Sequence, residues 1–178
     1  MRRHTLSDRV VHCGVALSIF LLIFSGLGQM PMYKRYKVAD LPGLAWSADY
    51  EITLILHYIG AAALIGFATY HVLFNLRTRR LGLLPRRGDL KESAQIIAAM
   101  FTGKPEPPSG KFLAEQRLAY AYIAGSALLL ILTGLVKVIK NLPGVSLPYA
   151  LLKWNTALHN IGTGLIILGI VAHLAAFL

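Results

Sequence analysis

The sequence predicts an all-α fold: a membrane four-helix up-down bundle. Three observations predict it. Of the 178 residues, 56% are hydrophobic and 15% charged, and the mean hydropathy is +0.58, above the range of ordinary soluble domains. The apolar residues gather into four runs, each near the roughly 20 residues that cross a bilayer. The net charge of +10 falls in segments beside those runs, which is a topology signal rather than a nucleic-acid footprint.

The elements follow in order. "MRRHTLSDRVVHCGVALSIFLLIFSG" begins like a secretory signal. Its apolar run is too long and no small-residue cleavage site follows, so a retained transmembrane helix is expected over residues 10–29. "MPMYKRYKVADLPG" punctuates the chain before a second span over 50–76. The polar segment 77–117 contains "DLKESAQIIAAMFTG", with Leu90, Ala94, Ile97 and Phe101 near helical spacing. That pattern predicts a short amphipathic helix, either on the membrane surface or packed as a loop helix. A third span over 118–138, the turn "KNLPGVSLP" and a fourth span over 151–178 complete a single domain of residues 1–178.

Consecutive spans must alternate in direction. Twelve basic residues, among them Arg9, Arg77, Arg79 and Arg80, fall in the N-terminal segment and the 77–117 segment; six fall on the other side. The positive-inside rule therefore places both termini and segment 77–117 in the cytoplasm of a bacterial inner membrane. The single cysteine, Cys13, excludes an internal disulfide, covalent haem attachment through C-x-x-C-H, and an iron–sulfur cluster held by this chain. No carboxylate lies deep in a run, so a carboxylate ion relay is not expected.

The histidines carry the chemistry. "LHNIGTGLIILGIVAH" holds His159 and His173, and "LHYIGAAALIGFATYH" holds His57 and His71, each pair 14 residues apart after a shared Leu-His-x-Ile-Gly start. Fourteen helical residues rise about 21 Å and make nearly four full turns, so both side chains keep one face at opposite membrane depths. His57 and His159 are expected at the outer level. At the inner level His173 can pair with His12, His71 or both, while His4 precedes the membrane and is solvated. Facing imidazoles in a bundle core build a six-coordinate haem iron site. Gly60 and Gly162 follow the outer histidines by three residues, and Gly26 follows His12 by 14; small residues there leave room for a flat macrocycle. Glycine also serves close helix packing, and any one intramembrane histidine is commonly a hydrogen-bonded core residue. Histidines at two matching depths on three helices are not explained that way. Zinc or copper would call for carboxylates or thiolates. Two haem b groups, with irons about 20 Å apart by helix rise, would serve electron transfer, since a bis-histidine iron has no open position.

These residues resemble the cytochrome b, or gamma, subunit of respiratory formate dehydrogenases, related to the cytochrome b subunits of nickel–iron hydrogenases. "SDRVVHCGVALSIFLLIFSG" looks like the first helix of that family, "ILHYIG" its second-helix ligand motif, "GKFLAEQRLAYAYI" the start of its third helix and "LHNIGTGLIILGIVAH" its fourth. The resemblance implies an outer haem held by His57 and His159 and an inner haem held by His12 and His173. It implies quinone (menaquinone or ubiquinone) near the inner haem, with Gln116 at a quinone-site position and His71 contacting a propionate or the quinone. Leu113 stands where the family has Asn, and the family's long cytoplasmic tail is expected to be missing after Leu178.

The expected function is that of a membrane anchor carrying electrons between a periplasmic iron–sulfur and catalytic partner and the quinone pool. The alternatives are a hydrogenase cytochrome b subunit, a free-standing di-haem quinone-linked oxidoreductase of the superoxide-oxidising type, and a non-redox scaffold with satisfied histidines.

Overall fold

The computed structural model describes residues 6–103, 105 and 110–175, with the side chains of residues 100 and 101 outside that description. Among the described residues the fold is all-helical and contains no strand. Six α-helices follow in order: α1 (Leu6–Gly28), α2 (Pro31–Arg35), α3 (Tyr50–Arg77), α4 (Asp89–Thr102), α5 (Ala114–Lys140) and α6 (Tyr149–Ala175), with 3-10 turns at Val38–Asp40 and Ala45–Ala48. Four of them, α1, α3, α5 and α6, are long and apolar enough to cross a membrane. The expected fold class and span count hold. Large apolar side chains such as Leu17, Ile59, Leu128 and Leu168 are exposed on these helices, which suits lipid and would be a liability in water.

The chain divides into two compact units, Met1–Thr78 and Arg79–Leu178. In the first, α1 packs along α3 as a helical hairpin. Residues 29–49 connect the pair, and within them the Tyr33 hydroxyl meets Ser47 Oγ at 2.7 Å in a buried contact. Asp49 then starts α3, its Oδ1 accepting from the backbone N–H groups of Glu51 at 2.9 Å and Ile52 at 3.1 Å. An N-cap carboxylate of this kind satisfies donors that the first helical turn leaves unpaired.

In the second unit, α5 packs along α6 and α4 packs on α5. The α5–α6 connection reverses at Leu142–Val145, where Val145 N–H donates to the Leu142 carbonyl at 3.2 Å. Gly144 has φ +77° after Pro143, the arrangement of a type II turn in which glycine relieves the left-handed position.

Helix limits differ from the sequence expectation in one instructive place. The third span was expected from residue 118, but α5 begins at Ala114 and takes Arg117 into its first turn. Arg117 is buried because a carboxylate meets it: Nε lies 2.9 Å from Asp89 Oδ2 and Nη2 2.6 Å from Asp89 Oδ1, while Nη1 donates to the Phe112 carbonyl at 2.6 Å. Glu92 adds a contact at 3.2 Å. A guanidinium paired in this bidentate way can lie in a packed helix start. The amphipathic segment forms α4 as expected. It turns Asp89, Ser93, Ile96 and Ala99 inward and leaves Leu90 and Ile97 exposed.

Candidate haem-ligand site

Each hairpin presents one histidine near its connected end, in the same local setting. In the first, Ser25 Oγ of α1 lies 3.0 Å from His57 Nδ1 of α3. In the second, Thr133 Oγ1 of α5 lies 2.8 Å from His159 Nδ1 of α6. Both hydroxyls also sit 2.7 Å from a carbonyl one turn back in their own helix, that of Leu21 or of Leu129. A glycine follows each hydroxyl residue. A Cβ added at Gly26 would stand 3.3 Å from His57 Cε1, and one at Gly134 would stand 3.7 Å from His159 Cε1. At Gly26 the missing side chain lets the imidazole lie close against the neighbouring helix, whereas at Gly134 a Cβ would make an ordinary contact.

The local sequence explains the match. "LLIFSG" in α1 and "LLILTG" in α5 carry leucine, hydroxyl and glycine at identical spacing. Residues three apart share a helix face, so Leu22 and Leu130 stand one turn from Ser25 and Thr133. They fill the space beside the glycine that follows each histidine: a Cβ at Gly60 would meet Leu22 Cγ at 3.1 Å, and one at Gly162 would meet Leu130 Cγ at 3.2 Å. Gly60 and Gly162 were expected to make room for a macrocycle. Leucines of the partner helix are the near neighbours of both, a close helix contact that glycine also permits.

Amides brace both arrangements. Asn155, one turn before His159, donates to the Thr133 carbonyl at 3.0 Å. In the first hairpin Gln29 donates to the Ser25 carbonyl at 3.2 Å and to the Thr53 carbonyl of α3 at 3.3 Å. Ser25, Thr133 and Gly134 are the site residues that histidine spacing alone missed. The repeated Leu-Leu-Ile-x-hydroxyl-Gly string was the signal that could have found them.

The remaining expected residues are placed as follows. His71 lies one turn before Asn75, whose Nδ2 is 3.2 Å from His71 Nδ1 and donates to the His71 carbonyl at 2.8 Å. His12 on α1 and His173 on α6 are exposed. Gln116 is exposed, and its Oε1 accepts from the Leu113 N–H at 3.2 Å, closing the first turn of α5; the bond observed is a capping bond. His4 lies outside the described residues. Both expected ligand pairs, His57 with His159 and His12 with His173, draw one member from each compact unit.

The donor chemistry fits a b-type haem. Among the described residues no group of three or more His, Cys, Asp or Glu is assembled for a metal ion. What the chain provides is imidazoles on separate apolar helices, two of them with Nδ1 against a hydroxyl, an arrangement that leaves ligation to Nε2.

No individual curated protein matches the sequence. The family model for prokaryotic cytochrome b561 matches residues 3–178, a range that includes every histidine of the chain. Four apolar helices, histidines on three of them and this match lead to one conclusion: the chain belongs to the prokaryotic cytochrome b561 family, multi-pass membrane proteins that carry electrons on b-type haem.

Proposed function

We propose that the chain is the membrane-anchor cytochrome b subunit of a respiratory oxidoreductase of the formate dehydrogenase gamma type. It links a periplasmic iron–sulfur and catalytic partner to the quinone pool. In this reading His57 and His159 hold one haem b, and His12 and His173 hold a second. Bound haem supplies reversible one-electron exchange at iron. The chain's own residues would do the rest: the paired imidazoles would hold the iron, and the apolar helices would keep water from it.

One observation carries the reading. Two imidazoles in two different hairpins are prepared identically, each with its Nδ1 against a hydroxyl and its Cε1 edge against a glycine. A lone structural histidine needs no counterpart; an axial pair needs two. The excess of Arg and Lys in the N-terminal and 77–117 segments favours a cytoplasmic location for both. That puts His57 and His159 toward the periplasmic partner, and His12, His71, His173 and Gln116 toward the side where quinone would be met.

The test is purification of the chain from native membranes. The expected result is two haems per polypeptide with a split low-spin reduced spectrum, a co-purifying iron–sulfur subunit, and quinone-dependent oxidation or reduction. A colourless chain overturns the proposal. A haem-loaded chain that purifies alone and exchanges electrons between quinone and superoxide overturns the anchor role in favour of a free-standing oxidoreductase.

A further inference from the structure

The hydroxyls beside the two histidines have a definable proton direction. A serine or threonine hydroxyl has one hydrogen to give and two lone pairs to offer. Ser25 Oγ lies 2.7 Å from the Leu21 carbonyl oxygen, and Thr133 Oγ1 lies 2.7 Å from the Leu129 carbonyl oxygen. A carbonyl cannot donate, and two oxygens approach this closely only with a hydrogen between them. The hydroxyl hydrogen therefore points back along its own helix in both hairpins. What each hydroxyl has left for the imidazole, at 3.0 Å from His57 Nδ1 and 2.8 Å from His159 Nδ1, is a lone pair. The imidazole must then be the donor, with its proton on Nδ1.

We infer that Ser25 and Thr133 are positioning residues that hold His57 and His159 in the Nδ1–H tautomer, presenting Nε2 as the iron ligand and raising its donor strength. The inference rests on the proposal that His57 and His159 ligate haem. Two features set it apart from routine back-bonding of hydroxyls in apolar helices. The relay from carbonyl to hydroxyl to imidazole occurs at both histidines. In the first hairpin it is also held from the other side, where a Cβ at Gly26 would crowd the His57 ring at 3.3 Å. A proton partly drawn toward an acceptor makes the imidazole a stronger donor. A stronger donor favours the ferric state and lowers the haem potential.

The experiment uses the haem-loaded full-length chain with Ser25→Ala, Thr133→Val, and the conservative exchanges Ser25→Thr and Thr133→Ser. Haem content, midpoint potentials and the low-spin ferric electron paramagnetic resonance signals are measured. Ser25→Ala and Thr133→Val are expected to keep two haems and to shift one potential in the positive direction with altered g values. The conservative exchanges restore both readouts. Unchanged potentials and g values in a haem-loaded Ser25→Ala and Thr133→Val chain overturn the inference. Nitrogen-15 resonances of labelled histidine in the wild-type chain provide a second arm that needs no variant: Nδ1–H at His57 and His159 supports the inference, and Nε2–H overturns it. Failure of the ligand proposal has its own signature. His57→Ala or His159→Ala would then retain both haems, while the tautomer result would stand on its own.

Discussion

The two hairpins are alike at their connected ends and differ at their open ends. At the connected end, Ser25, Gly26 and Leu22 meet His57 and Gly60 just as Thr133, Gly134 and Leu130 meet His159 and Gly162. Carried toward the open end, the same register aligns Gly14 with Tyr122 and Phe67 with Gly169. The aromatic knob and the glycine hole have changed helices. In the first hairpin Phe67 of α3 lies over Gly14 of α1; in the second Tyr122 of α5 lies over Gly169 of α6 and donates to the Leu165 carbonyl at 2.8 Å. The histidines follow the same division. His71 and His173 correspond, but His12 aligns with Tyr120. In the sequence Asn75 stands four residues after His71, whereas Phe177 stands four residues after His173. The difference teaches that a close helix contact can be met with glycine on either partner, while a hydroxyl-held imidazole keeps one arrangement of residues.

The largest expected effect tests the likeness. His57→Ala and His159→Ala should each remove one of two haems, with equal losses measured as pyridine haemochrome per polypeptide. His12→Ala should also lose one haem and His71→Ala should keep both. Loss on His71→Ala with retention on His12→Ala would reverse the inner assignment.

The next test addresses the open ends. Gly14→Ala drives a Cβ into the Phe67 ring, and Gly169→Ala drives one to 2.6 Å from Ile123 Cδ1 and 2.8 Å from Tyr122 Cε1. Each should destabilise its own hairpin by about 1–3 kcal/mol, the usual cost of overpacking, read by denaturation in detergent. Phe67→Leu should relieve the first, and Tyr122→Leu combined with Ile123→Val the second. Crossed combinations should not help.

A smaller effect separates the connected ends. A Cβ at Gly26 would be tighter on His57 than one at Gly134 on His159, 3.3 Å against 3.7 Å. Gly26→Ala should perturb the low-spin spectrum and Gly134→Ala should leave it unchanged.

The smallest test concerns the second unit alone. Hydrogen bonds from Arg117 hold the Asp89 carboxyl down at about 2, from an ordinary 3.8. A carboxyl depressed in the folded state contributes fully above its ordinary value and loses that contribution as pH falls through its folded value. Protection of α4 amides, taken relative to intrinsic exchange at each pH, should therefore be unchanged from pH 7 to about pH 4 and should fall between about pH 4 and pH 2. Asp89→Asn should abolish that pH step.

Much of this was legible in the sequence. The four spans, the amphipathic α4 and the two-depth histidine pattern follow from hydropathy and period alone. The hydroxyl partners were not, because Ser25 and Thr133 read as ordinary polar residues until a partner helix places an imidazole beside them. Gly60 and Gly162 make the same point: spacing from a histidine suggested a cofactor face, and only the packed helices show Leu22 and Leu130 as their close neighbours. Arg117 shows a third limit. A hydropathy window stops at an arginine, but the helix continues once Asp89, 28 residues earlier, neutralises it.

By itself the sequence determined which segments must leave water and form helices, because an apolar run of about 20 residues has no other way to satisfy its backbone in lipid. It also determined which helix face each histidine occupies, since the 3.6-residue turn is a local property. Only the tertiary structure decided what each face meets. A hydroxyl or a glycine acquires its role from the neighbour within a few ångströms, and helix–helix packing, not sequence distance, chooses that neighbour.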